Sequence, residues 1–117
     1  MKLIFTTKGT DWDSPMDPRF GRTRCFFVYD AESGEVVTRD NTAIDGEAHG
    51  AGPKAAGILA GFGAQVLITG NGPGGNAATV LQAAGIAIHV GAGAMTVRQA
   101  YEAYRQGALT RIQGVQS

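Results

Sequence analysis

A single cysteine, Cys25, stands in this 117-residue chain. It permits no internal disulfide and no Cys-x-x-Cys metal pair. An excess of charge of either sign is also missing: ten basic side chains offset ten acidic ones, for a formal net charge of zero. Such a balance argues against general binding to nucleic acid or to an anionic membrane surface. There is no long apolar run, so no transmembrane helix is expected. The opening Met1-Lys2-Leu3-Ile4-Phe5-Thr6-Thr7 is too short, and too polar downstream, for a signal peptide, which makes the cytoplasm the expected location. No Ser/His/Asp or paired-carboxylate set stands out. The first strand lacks the carboxylate that a ribonuclease-H-type nuclease needs there. No Gly-x-x-x-x-Gly-Lys-Ser/Thr phosphate loop is present. A protein without enzymatic turnover is expected.

Glycine is what the chain has in excess, at 18 of 117 residues, about twice the usual ~7%. With no collagen period, the glycines read as turns and close packing contacts. Three glycine-rich turns matter most: His49-Gly50-Ala51-Gly52-Pro53, Gly70-Asn71-Gly72-Pro73-Gly74-Gly75-Asn76 and Gly91-Ala92-Gly93-Ala94-Met95-Thr96. Each opens a predicted helix. A glycine-rich helix start exposes unpaired N–H groups at the positive end of a helix dipole, which is an anion-binding device. Three of them predict one pocket for one anionic ligand.

The length fits one domain, read here as residues 1–107, with 108–117 a patternless, frayed tail. Lys2–Thr7, Arg24–Asp30 and Glu35–Arg39 read as strands, the last two joined as a hairpin by Ala31-Glu32-Ser33-Gly34. Residues 53–62 form a helix begun by Pro53 and stopped by Gly63. Gln65–Thr69 is a buried strand. Residues 76–84 form a helix with Val80, Leu81 and Ala84 on one face. Ile86–Val90 is a strand. Thr96 caps a helix whose Val97, Ala100, Tyr101 and Tyr104 recur at helical spacing. The helix-ending glycines Gly63, Gly85 and Gly107 mark two βα units of equal length. The order β-β-β-α-β-α-β-α predicts an α/β fold: an antiparallel meander leading into parallel βα units, a mixed five-stranded sheet. If strands 1, 3, 4 and 5 run the same way, all three glycine turns and the cluster Arg19-Phe20-Gly21-Arg22-Thr23-Arg24 meet at one sheet edge. Ligands of open α/β sheets sit there.

Several residues in this order resemble a known family. They are Asp13-Ser14-Pro15, Phe20-Gly21-Arg22 with a strand ending in Asp30, and Gly34-Glu35-Val36. His49-Gly50-Ala51-Gly52, Ile68-Thr69-Gly70-Asn71-Gly72-Pro73 and Ala84-Gly85-Ile86 follow. The chain is similar over residues 1–107 to the dinitrogenase iron–molybdenum cofactor biosynthesis family, which includes cluster carriers and the C-terminal domain of the cofactor-assembly protein NifB. Within it the chain looks most like the orange-protein group, which holds a molybdenum–copper sulfide cluster non-covalently. The resemblance implies a three-layer α/β/α, ribonuclease-H-like fold. It also implies a cofactor, a heterometallic molybdenum–copper sulfide cluster, and an acceptor protein of unknown identity. Some carriers in the family have a histidine in the second turn, where Asn71 and Gly72 stand here. An iron–molybdenum cofactor ligated by that route is therefore the weaker expectation.

A sulfide-bridged cluster is anionic, bulky and soft, and brings its own sulfide ligands. It needs N–H donors, nearby positive charge and apolar walls. The expected donors are the turns containing Gly50, Gly52, Asn71, Gly72, Gly74, Gly75, Gly93 and Thr96. Lys8, Arg19, Arg22 and Arg24 are the expected cations, with Gly21 beside Arg22. Trp12, Met16, Phe20 and Met95 are the expected walls. No direct ligation is expected, with Cys25 and His49 the two potential ligands. Each residue also has a plainer reading. Asp11, Asp13 and Asp17 lie near enough in sequence to pair with the arginines. His49 reads equally as a loop hydrogen-bonder, His89 as a structural mid-strand residue and Cys25 as a small core residue. A monomer is expected. The alternative function is a nucleotide- or phosphate-binding protein, or a regulatory partner, without a cluster.

Overall fold

The computed structural model describes residues 1–41, 51–73 and 75–112. Its strands are β1 (Lys2–Thr7), β2 (Cys25–Asp30), β3 (Val36–Asp40), β4 (Val66–Ile68), β5 (Ala87–Val90) and β6 (Thr110–Ile112). The helices are α1 (Ala51–Ala60), α2 (Gly75–Ala83) and α3 (Val97–Arg105). One mixed sheet has the order β3-β2-β1-β4-β5-β6. β1, β4 and β5 pair in parallel, while β2 runs against β1, β3 against β2 and β6 against β5. Strands β1, β3, β4 and β5 therefore share one direction, which meets the condition set by the sequence reading.

Period-two alternation gives the sheet two apolar faces. Ile4, Phe26, Val28, Leu67 and Ile88 pack with Ala56 and Leu59 of α1 and Ala77, Ala78 and Leu81 of α2. Leu3, Phe5, Phe27, Val66 and Ile68 pack on the other side with Val97 and Ala100 of α3. Among the described residues the sheet is thus sandwiched between a helix pair and a single helix. The glycines expected to stop helices, Gly63, Gly85 and Gly107, have φ of 70°, 79° and 72°, the left-handed conformation that ends a helix. The β2–β3 turn is held by Asp30, whose Oδ1 accepts the Glu32 N–H at 2.9 Å.

Two expectations need correction. The sheet has six strands, not five, because Thr110–Ile112 of the supposed tail pairs with β5. Ile112 packs against the core on the α1–α2 side, which accounts for a strand whose three residues carry too little pattern to read locally. The inward face of α2 is also different. It buries Ala77, Ala78 and Leu81, while Val80 is 36% exposed. Small residues on that face let α1 and α2 approach, and α1 does pack against α2.

Candidate anion site at the carboxyl edge of the sheet

The loops leaving β1, β4 and β5 meet at the carboxyl edge through main-chain contacts. The Thr6 hydroxyl donates to the Asp17 carbonyl at 2.8 Å and shares a hydrogen bond with the Thr69 hydroxyl at 2.8 Å, all buried. The Asp17 N–H donates to Thr6 O at 2.8 Å, Asn71 N–H to Pro18 O at 2.7 Å and Gly91 N–H to Gly70 O at 3.0 Å. A Cβ on Gly70 would stand 2.6 Å from Pro18 Cα and 2.8 Å from Gly93 Cα. Gly70 and Gly93 are therefore glycine because three backbones touch here.

The third glycine turn does not behave as the sequence predicts. A helix start leaves four N–H groups without helical partners. At α3 all four are taken. Thr96 N–H donates to the Gln99 side chain at 2.9 Å and Gln99 N–H to the Thr96 hydroxyl at 3.2 Å, forming a capping box. Val97 N–H donates to Ser14 O at 3.0 Å and Arg98 N–H to Trp12 O at 2.9 Å. The β1–β2 loop closes this start, so Gly93, Met95 and Thr96 offer a ligand no open helix terminus. Met95 instead packs, half-buried, against the α3-side core, and its carbonyl accepts the Met16 N–H at 2.8 Å.

The starts of α1 and α2 lie on the other face. Each helix follows a strand that ends at the carboxyl edge, and the two pack on each other. Phe20 is buried in the cluster formed with Ala56 and Ala77, so it anchors its turn more than it walls a pocket. Gly21 and Arg22 follow it, half-buried. Asn41, buried at the end of β3, holds that turn in place: its side-chain amide donates to Gly21 O at 3.1 Å and Thr23 O at 2.9 Å. Asn41 Oδ1 is buried and has no hydrogen-bond partner among the described residues. Gly52 and Gly75 lie in the first turns of α1 and α2, and Asn71 and Gly72 are exposed on the loop before α2. His49, Gly50 and Gly74 lie outside the described residues.

The charges expected to converge are dispersed. Asp17, fully buried, takes Arg19 in a two-point ion pair of 3.0 and 3.1 Å and accepts the backbone N–H groups of Arg19 and Arg24. Burial works to raise the Asp17 pKa. The hydrogen bonds from Arg19 and Arg24 and the Arg19 charge outweigh it, so the carboxyl titrates below its ordinary value. Lys8 and Arg24 line a different recess of about 370 Å³, with Cys25, Thr38 and Asp40. Register places Cys25 on the same face as Phe27, the α3 side. Cys25 is buried there as a free thiol.

Trp12 belongs to an aromatic cluster on the α3 side, its ring 4.9 Å from Tyr29, 5.0 Å from Phe27 and 5.8 Å from Tyr101. Sequence reasoning missed Arg98 there. Its guanidinium lies 5.9 Å from the Trp12 ring centre and pairs with Asp13 at 3.1 Å. The signal was the helical spacing of Val97 and Tyr101 around it. His89 meets Tyr104 edge-on at 5.0 Å. Burial, and then the Arg111 charge, push its pKa below the ordinary histidine value. Among the described residues no group of three or more His, Cys, Asp or Glu is placed to hold a metal ion. Nor, among them, is any helix long and apolar enough to cross a membrane.

Comparison with known proteins agrees with the resemblance read from the sequence. The apo form of the orange protein from Desulfovibrio gigas superposes with a TM-score of 0.90 at 39% identity, covering 99% of this chain and 96% of that one. A putative NifB protein from Thermotoga, assigned to the DUF35 family, superposes at 0.82 with 34% identity, covering 99% and 97%. PH0822, at 20% identity, a TM-score of 0.71 and 97% coverage of both chains, shares the fold. A search of curated proteins returned no match. The family model described as dinitrogenase iron-molybdenum cofactor matches residues 1–107. With that match and two structures above 30% identity over nearly the whole chain, the protein belongs to the dinitrogenase iron–molybdenum cofactor family.

Proposed function

We propose that this protein carries an anionic metal–sulfide cluster, held without covalent attachment where α1 and α2 begin. What supports this reading is that α1 and α2 pack on each other on one face of the sheet, that each follows a strand ending at the carboxyl edge, and that Phe20, next to the half-buried Gly21–Arg22, shares their apolar cluster. Each helix terminus contributes roughly 0.3–1 kcal/mol toward an anion, so two of them with a cation do what one alone does not. The similar orange protein is named in an apo form, which implies a loaded one.

Molybdenum–copper is the favoured composition, since the second turn presents Asn71 and Gly72 where some carriers in the family have a histidine. The role is carriage without turnover, in the cytoplasm, with delivery to an acceptor protein. The strand order, with β2 reversed beside β1, supports a ribonuclease-H-like ancestry for the scaffold.

Incubation with tetrathiomolybdate and copper should give a coloured species that survives gel filtration with the protein. Arg22→Ala should lose more of that colour than His89→Ala, because His89 sits on the opposite face against Tyr104. Colourless, metal-free protein after the column would overturn the carrier reading. Equal loss in the two variants would overturn the site.

A further inference from the structure

The far edge of the sheet presents a second surface. β3 is the terminal strand, and all five of its residues are exposed, Val36 at 36% and Val37 at 45%. Asp30 N–H donates to Glu35 O at 2.9 Å and Asn41 N–H to Arg24 O at 3.0 Å. Antiparallel hydrogen-bonded pairs alternate along a ladder. The residues of β3 in phase with Glu35, namely Val37 and Arg39, therefore turn their N–H and C=O groups toward β2. Val36 and Thr38 turn theirs outward, where no described strand meets them. An edge of this kind is a template for another strand.

We propose that β3 pairs with β3 of a second copy of this chain, antiparallel, about a two-fold axis at Val37. In that register Val36 of each copy lies opposite Thr38 of the other, and these are the residues with outward main-chain groups. Val37 meets Val37. Glu35 of each copy lies opposite Arg39 of the other, twice. Glu35, Val37 and Arg39 share one face of the strand, in register with Val28 and Phe26 of β2. They fall at positions without main-chain hydrogen bonds, where opposed side chains come closest. The alternatives lack this match. Centring on Thr38 sets Glu35 against Asn41 and Val37 against Arg39. Centring on Val36 sets Glu35 against Val37 and Arg39 against Ser33.

The contact is smaller than the ~800 Å² per partner of a standard interface, so the dimer is weak and formed at high concentration. It departs from the monomer expected from the sequence. Sedimentation of the full chain up to millimolar concentration should show a reversible monomer–dimer equilibrium. Arg39→Glu alone and Glu35→Arg alone should each weaken it about tenfold or more, by setting like charges opposite one another twice. An equimolar mixture of the two variants should recover the dimer, since each then meets its opposite.

Should either charge variant fail to fold by circular dichroism, cysteine pairing decides. Val37→Cys should cross-link across the axis, where the Cα atoms approach to about 4.5 Å, within disulfide reach. Thr38→Cys, displaced from the axis, should not. A monomer at every concentration, a dimer indifferent to charge reversal, or cross-linking at Thr38→Cys in place of Val37→Cys would overturn the proposal.

Discussion

Asp17 shows how one side chain settles a question that the sequence leaves open. Three acids lie near Arg19, yet only Asp17 is buried, and it takes the arginine with both oxygens while accepting two backbone N–H groups. Asn at this position would turn an N–H₂ group toward donors. Asp17→Asn should therefore cost about 2–3 kcal/mol at neutral pH, read from chemical denaturation. The pKa of Asp17 is depressed in the fold. Its contribution is thus complete above the unfolded value near 4 and disappears as pH falls through the folded value. The variant should show a flatter acid limb. His89 follows the same sign at higher pH. Its folded pKa is also depressed, so the neutral ring stabilises the fold above about pH 6.5 and that stability is lost on acidification. His89→Phe, which retains a ring beside Tyr104, should flatten stability between neutral and mildly acid pH. An unchanged slope would remove His89 from the account.

At the scale of elements, the sequence was most legible where a rule is local. The stops at Gly63, Gly85 and Gly107, the Thr96 cap and the hairpin turn all stand within a residue or two of their expected places. What could not be read was that the start of α3 is closed. Nothing near Gly91–Thr96 announces that Ser14 and Trp12, more than eighty positions earlier, supply the carbonyls that close α3. The glycines divide in the same way. Gly70→Ala would drive a methyl into the backbone of Pro18 and Gly93, which cannot yield without parting the loops. Gly72→Ala would meet the tip of the Ile112 side chain at 2.9 Å, and a rotamer change relieves that. Thermal denaturation should show a loss of about 1–3 kcal/mol for Gly70→Ala and well under 1 kcal/mol for Gly72→Ala. Comparable losses would mean that the junction is less rigid than its contacts imply.

Across the whole molecule, strand direction was legible because right-handed crossovers leave few choices, and it brought the loops of Gly70 and Gly93 to one edge as expected. The division of that edge was not legible. Lys8, Trp12 and Cys25 belong to the α3 side, whereas Phe20 and Gly21–Arg22 belong to the α1–α2 side. A strand's side chains alternate between faces, but loop residues follow no such rule, and the assignment comes only with tertiary packing. The sixth strand escaped for a similar reason, since its pattern exists only in its pairing with β5. The docking of the β1–β2 loop has a measurable signature. Amides in a first helical turn ordinarily exchange fast, yet those of Val97 and Arg98 are bonded to Ser14 and Trp12. Hydrogen exchange by NMR should find them protected nearly as well as the central strands. Exchange at unprotected rates would show that the loop detaches readily.

The closed start of α3 also gives the molecule a direction. On one face of the carboxyl edge the chain itself occupies the helix start, so the anion proposed at the α1 and α2 starts would have its doorway on the other, α1–α2 side. A donor and an acceptor of that anion would then have to use this doorway in turn. If the anion is carried as proposed, loading and unloading would be successive visits, and a donor that lingers would block delivery.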